Sequence, residues 1–336
     1  MPRRPVAVLG ECVADAFADS SAGHRPGELA LRVLPGGGPA NTAVALARLG
    51  TPTRFLGRIS ADPFGALFRQ HLRGSGVGLD ACVNAAEPST LAIATFDPQG
   101  QAHYSFHAEG TADWAWTAGE LAALPLADVD CLHTGSLALV REPGGPRIEE
   151  LIEELPGRAG GRPTVSVDPN VRPLLVAPAV YRARLPRWCA AADVLRLSAD
   201  DLGLLLPGVS PEDACDTWHR AGVPLVVITL GDRGALASLD GRRLAVPAPP
   251  TTVVDTIGAG DSFTGGLLHH LGQLGRLGSG LDRLTLDEVG EACRFAARVA
   301  ALTCSVAGPN PPWPADLQAA EPQAAELHEN GRPGPA

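Results

Sequence analysis

The sequence predicts an α/β protein with a central, mostly parallel sheet flanked by helices. Three observations predict it. Short apolar runs alternate with helical patterns along most of the chain. Glycine- and acid-bearing loops directly follow several of these runs, at the position where open α/β sheets bind ligands. The 336 residues suffice for one large α/β domain with an appended element, or for two domains.

The elements follow in order. Val6-Ala-Val-Leu9 before Gly10 reads as a buried parallel strand. Its apolar stretch is shorter than the about 7–15 residues of a secretory signal. Pro39 to Leu49 is a helix stopped by Gly50, Arg54 to Gly57 a strand, and Pro63 to Leu72 a helix. Thr90 to Phe96 and Ala102 to Phe106 flank Asp97-Pro-Gln-Gly100, a hairpin signal. Strands are then expected at Val129–His133, Thr164–Asp168, Val194–Leu197 and Leu225–Thr229. Helices lie between them at Arg147–Leu155, Ala179–Ala191 and Glu212–Ala221. A second hairpin pairs Gly234–Leu239 with Arg243–Val246, and two helices follow, Gly260–Leu271 and Leu286 to about Cys304. The tail from Pro311 is rich in Pro, Ala, Glu and Gly, and residues 314–336 are expected to be disordered.

Composition narrows the function. A net charge of −10 argues against a general nucleic-acid or membrane-surface binder, and the scattered cysteines read as reduced thiols of a cytoplasmic protein. All 27 basic side chains are Arg, so a Walker A loop is excluded, because its phosphate-binding Lys is missing. Any phosphate site must use backbone N–H groups, Arg or a metal. The seven Cys are scattered and form no C-x-x-C pair, which argues against structural zinc and a disulfide framework. No G-x-G-x-x-G follows the first strand, so a dinucleotide-binding Rossmann domain is disfavoured.

The most informative stretch is Asp255-Thr-Ile-Gly-Ala-Gly-Asp-Ser-Phe-Thr-Gly-Gly266. Gly258 and Gly260 let the backbone turn tightly and approach a ligand. A helix pattern starts at once, so free N–H groups and the positive helix end aim at one point, which suits a phosphate. Asp261 sits at that point. A carboxylate beside an anion site is costly unless it has work, and accepting a proton from an attacking hydroxyl is such work. The plain alternative is an Asp helix cap after a glycine turn.

This string closely resembles the C-terminal signature of the PfkB, or ribokinase-like, carbohydrate kinases. Pro35-Gly-Gly-Gly-Pro-Ala-Asn41 resembles that family's N-terminal sugar-binding motif. Asp62-Pro-Phe-Gly65 resembles its D-x-F-G element, Asp168-Pro-Asn-Val-Arg172 a fructokinase-like loop, and Thr229-Leu-Gly231 with Gly234 the nucleotide-side loop. The resemblance implies a ribokinase-like domain over 1–313 with a small β lid from about 11–35 and 88–113. It implies ATP as donor, Mg²⁺, and possible activation by K⁺. Asp261 would be the general base, with Gly258, Ala259 and Gly260 as anion hole. Asp15, Gly36, Gly37 and Asn41 would hold sugar hydroxyls. Ser198, Thr229, Gly231, Gly234 and Cys304 would meet the nucleotide. Asp255 and the Ile257 carbonyl would hold a monovalent cation. Ser198-Ala-Asp-Asp201 stands where many members carry N-x-x-E, so Asp201 is expected to reach Mg²⁺ through water. Its plain alternative is an acidic first turn behind a Ser cap. Ser60 replaces a frequent glycine, with no consequence drawn.

The first loop, Gly10-Glu-Cys-Val-Ala-Asp15, lacks the Asn that ribokinases proper carry at the position of Val13, and resembles fructokinases and ketodeoxygluconate kinases. Glu109 in the lid, if it faces the pocket, would repel a sugar acid and favour a neutral sugar, with fructose first. Arg172 is the counterweight, since it could pair an anion. Nucleoside kinases and a catalytically silent sugar binder are the other readings. A homodimer through the lid is expected from relatives. His103 and His107 are expected at a surface or interface, Trp114 and Trp116 to pack, and one of His269 and His270 to be exposed.

Overall fold

The computed structural model describes residues 3–18, 27–96, 102–155 and 162–320. The chain enters through strand β1 (Val6–Leu9), then β2 (Val13–Ala18) and β3 (Leu31–Gly36), helix α1 (Gly38–Arg48), β4 (Thr53–Leu56) and β5 (Arg58–Ser60). Helix α2 (Pro63–Gly74), β6 (Val83–Ala85), β7 (Leu91–Phe96), β8 (Ala102–His107) and α3 (Ala118–Ala122) follow. The alternating body comprises β9 (Cys131–Gly135), α4 (Gly144–Glu154), β10 (Thr164–Asp168), α5 (Pro178–Ala191), β11 (Val194–Ser198), α6 (Ala199–Leu205), α7 (Pro211–Arg220) and β12 (Leu225–Thr229). A hairpin, β13 (Ala235–Leu239) and β14 (Arg242–Val246), precedes α8 (Ala259–Gln273), α9 (Leu286–Cys304) and α10 (Pro314–Ala319).

The main sheet has eight strands in the order β14-β13-β12-β11-β10-β9-β1-β4. Six run parallel; the β12–β13 and β13–β14 pairs are antiparallel. Alternate residues of one strand enter different cores, as strand geometry requires. Ala7 and Leu9 join Leu132, Val165, Leu195 and Ile228 under α4 and α5, whereas Val6 and Val8 join Phe55, Val227, Leu267 and Val289 under α1, α8 and α9. Coverage on both faces explains why the central strands are almost wholly apolar. Four strands in the order β3-β2-β7-β8 form the separate small sheet.

The parallel body lies where periodicity placed it, and its strands β10 and β12 coincide with expectation. Two differences concern packing. Pro314–Ala319 is a helix rather than a disordered tail. Leu317 is buried with Leu49 and Val299, while Arg48 lies 5.2 Å over the Trp313 ring and donates to the Pro311 carbonyl at 2.7 Å. The remainder of the expected tail, and the turn between β7 and β8, lie outside the described residues. Neither His269 nor His270 is exposed. Both rings lie 5.4 Å from the Phe295 ring, His269 stacked and His270 tilted, and His269 Nδ1 is 2.8 Å from Thr51 Oγ1, because α9 and the chain after α1 close over that turn. Trp114 and Trp116 are buried, and His103 and His107 are exposed on the edge strand β8.

Candidate active site

The site forms where two helix N-termini and three sheet-end loops converge. Gly258 adopts φ 77°, the left-handed region, and α8 starts directly behind it. The first-turn N–H groups of α8 have no partner within their own helix, and that of Ala259 donates to the Thr256 carbonyl at 3.2 Å. Asp261 stands in this first turn, 9% exposed. Its Oδ2 accepts a 2.8 Å hydrogen bond from the Asn41 amide of α1, and its backbone carbonyl accepts from the Thr42 hydroxyl at 3.3 Å. Burial pushes the Asp261 carboxyl up to about 6, against the Asn41 bond and the fields of Arg172 and Arg196.

The glycines before α1 are required by close approach. A methyl group on Gly36 would lie 1.9 Å from Asp15 Oδ2, and one on Gly37 2.6 Å from the Glu11 carbonyl. On Gly38 it would lie 2.4 Å from the Asn170 amide and 3.2 Å from Asp261 Oδ1. Asp15, Gly36, Gly37, Asn41 and Asp261 therefore share one site, and Asn170, at φ 41°, joins them. Arg172 is exposed and makes no ion pair among the described residues. Its charge reaches Asp15, Glu11 and Asp261. Asp15 is pushed up to about 6 and Glu11 to about 7, in both cases chiefly by burial.

Beside this pocket, Asp255 accepts from the Ile257 N–H at 3.0 Å and from the Gly308 N–H at 2.9 Å. The Cys304 carbonyl accepts from Val254 and Asp255, which zips the loop onto the end of α9. A cleft of about 490 Å³ opens between the small sheet and this loop, lined by Asp15, Arg32, Leu34, Asp255, Ile257 and Pro309 among others. Thr229 closes the sheet end. Gly231 (φ 63°) and Gly234 (φ 93°) shape the turn after it, and a methyl on Gly234 would meet the Val246 carbonyl at 2.0 Å.

A residue not anticipated from sequence joins the two halves. Arg196, on β11, is 5% exposed. It donates to Asp168 Oδ2 at 2.8 Å and to the Thr229 hydroxyl at 2.7 Å, and packs over the Phe263 ring at 5.6 Å. A methyl on Gly260 would lie 2.8 Å from its guanidinium. The signal was present: a charge inside an apolar parallel strand must be paired. Burial, with the field of Arg196 adding to it, holds His133 down at about 3, on the same face of the sheet.

One expected site residue, Glu109, points away from the pocket, and Asp201 is held in a cap. The Glu109 side chain is 93% exposed, drawn off the pocket by Arg141 at 2.6 Å beyond the Gly110 turn. Asp201 Oδ1 accepts from Val171 N–H at 2.8 Å, and its Oδ2 accepts from the Ser198 hydroxyl at 2.6 Å and the Ser198 N–H at 3.1 Å. Ser198 in turn caps α6 through Asp201 N–H. Both carboxylate oxygens are engaged by protein donors, so Asp201 is a cap and a clamp on the 168–172 loop.

Comparison with known proteins gives a consistent result. The chain matches the pfkB family carbohydrate kinase over residues 3–316. It is 36% identical to a fructokinase of Rhizobium leguminosarum bv. trifolii over 73% of this chain and 74% of that one. Among solved structures, fructokinase of Vibrio cholerae O395 in its fructose-, ADP- and calcium-bound form superposes with a TM-score of 0.78 at 26% identity, covering 94% and 98% of the two chains. A double mutant of that enzyme with fructose, ADP and potassium ion gives 0.79 at 27% identity, covering 95% and 99%.

Proposed function

The chain belongs to the pfkB family of carbohydrate kinases, and from that premise we propose that it transfers the γ-phosphoryl of ATP to a hydroxyl of a neutral sugar, fructose first. The observation that carries the reading is the Asp261 carboxylate, held by Asn41 at the N-terminus of α8. A base and an anion-binding helix end at one point are what phosphoryl transfer to a hydroxyl needs.

Asp261 accepts the hydroxyl proton as the oxygen attacks. With its carboxyl at about 6 it is mostly ionised at neutral pH, yet more basic than an exposed aspartate. The N–H groups of Gly258 and Gly260, joined by that of Ala259 once it leaves the Thr256 carbonyl, receive the charge of the transferring phosphoryl. Asp15, Asn41 and the backbone at Gly36 and Gly37 fix the sugar. The nucleotide lies towards Thr229, Gly231, Gly234 and the Cys304 end of α9, with Ser198 acting from the N-terminus of α6 that it caps. Mg²⁺ would arrive on the phosphates of ATP, with Asp201 reaching it through water. Asp255 and the Ile257 carbonyl offer hard oxygen donors for K⁺, a cation present in a related fructokinase structure. A homodimer through the small sheet and a cytoplasmic location belong to the same reading.

The neutral-sugar preference now rests on Arg172 rather than Glu109. Asp15 and Glu11 stand within the field of Arg172, so a substrate carboxylate would meet two acids as well as one base. A 2-keto-3-deoxy sugar acid is the second reading, favoured only by the exposed Arg172 guanidinium.

The test is ADP release with Mg-ATP and K⁺ across fructose, ribose, adenosine, 2-keto-3-deoxygluconate and no sugar. Fructose giving the highest kcat/KM supports the proposal. Turnover confined to the sugar acid replaces it, and no turnover with any acceptor points to a silent sugar binder.

A further inference from the structure

The small sheet is joined to the body by chain crossings at 10–12, 36–37, 86–90 and 108–113. Three of these meet at one side chain. Asp113 lies in a single 3-10 turn, Ala112–Trp114, and is 3% exposed. Its Oδ1 accepts from the Cys12 N–H at 3.0 Å, at the foot of β2. Its Oδ2 accepts from the Thr90 hydroxyl at 2.7 Å, at the foot of β7. Thr90 Oγ1 is also 2.6 Å from Thr111 Oγ1, and Thr111 donates to the Ala108 carbonyl at 3.2 Å, on the way out of β8. The Ala14 N–H donates to the Thr90 carbonyl at 2.9 Å and ties the same two strands.

Other polar groups secure the body side of the crossing. Asp62 accepts from the Ser89 N–H and hydroxyl, each at 2.8 Å, and Arg58 donates to the Ala112 carbonyl at 3.0 Å. Both belong to the body. Asp113 joins one strand of the small sheet to another, at the place where both leave the body. A buried carboxylate is a costly way to fill space, so its retention calls for work that an apolar side chain cannot do. Asp15 follows Cys12 by three residues on β2. The angle at which β2 leaves Cys12 therefore decides where the Asp15 carboxylate stands over the Asp261 pocket.

We propose that Asp113 is the pin of the lid hinge: a positioning residue that holds β2 to β7 and so places Asp15 against the sugar. It touches neither substrate nor nucleotide. Its kinetic consequence rests on the sugar-kinase reading above, whereas its structural consequence does not.

The test uses Asp113→Asn, Thr90→Val and, as the conservative control, Thr90→Ser in the full chain. Hydrogen exchange is measured without ligand, and KM for sugar and for ATP are measured separately. Asp113→Asn and Thr90→Val should speed exchange in β2, β7 and β8 about tenfold, the size of one lost hydrogen bond to a charged group, and leave β9 to β12 unchanged. KM for the sugar should rise on the same order, KM for ATP should stay within about twofold, and Thr90→Ser should match the parent. Parental exchange in the small sheet of both disruptive variants overturns the proposal, and so does an equal rise in both KM values. If Asp113→Asn does not fold, Thr90→Val decides. Absence of turnover with any sugar defeats the kinase reading while exchange still decides the hinge.

Discussion

At the residue scale, Asp261 carries the chemistry. Asp261→Asn keeps the shape and the Asn41 contact but removes the base, so kcat should fall at least about 10²-fold, measured by coupled ADP release. The pH dependence has a definite sign. A base with its carboxyl at about 6 is lost by protonation as pH falls through that value. Turnover should hold above pH 7 and decline below pH 6 in a pH–rate profile. An exposed aspartate would carry the decline to about pH 4. Asp261 was legible because a whole string of unusual residues surrounds it. Glu109 was not, because position in the lid segment does not say which way a side chain points beyond a glycine turn. Asp201 was legible as the acid behind a Ser198 cap three residues before it, whereas its bond to the Val171 N–H joins segments that no local pattern links.

At the element scale, α8 and β11 act as one unit. Gly258 holds φ 77°, and a methyl there would lie 2.7 Å from the Pro309 side chain. Gly258→Ala should cost about 1–2 kcal/mol from the left-handed backbone alone, measured by urea unfolding, and should lower kcat by shifting the α8 N-terminus. Arg196 is the buried counterpart. Arg196→Met leaves Asp168 uncompensated in the interior and should cost about 3–5 kcal/mol by the same measurement. The elements missed from sequence share a cause. β5 and β6 are too short to show a period, and β3 has an exposed start on an edge strand, so neither offers the alternation that marks a half-buried strand. α10 was missed because its stability comes from packing on Leu49 and Val299, which the local composition does not reveal.

At the scale of the whole molecule, the site is a concentration of buried acids that the fold tolerates. Glu11, Asp15, Asp113 and Asp261 are all pushed up, to between about 6 and about 7. A carboxyl whose folded value is raised binds protons more tightly folded than unfolded, so its contribution to stability rises as pH falls from the folded value towards the unfolded one. Glu11, at about 7, is the clearest case. Glu11→Gln should raise the melting temperature at pH 8 by a few degrees, and the gain should vanish near pH 5, where the parent is already neutral. No gain at pH 8 would mean that Glu11 is better solvated than its burial implies. The parallel body and its covering helices were readable because both faces of the sheet are buried and the strands are apolar throughout. The placement of the small sheet over the pocket depends on contacts between distant segments, such as Cys12 with Asp113, that no local pattern encodes.

The most direct test of the central claim is ADP release with fructose, Mg-ATP and K⁺, measured side by side for the parent chain and Asp261→Asn at pH 7.5. Sugar-dependent turnover is expected in the parent, with a loss of at least about 10²-fold in the variant. Undiminished turnover in Asp261→Asn would contradict the claim.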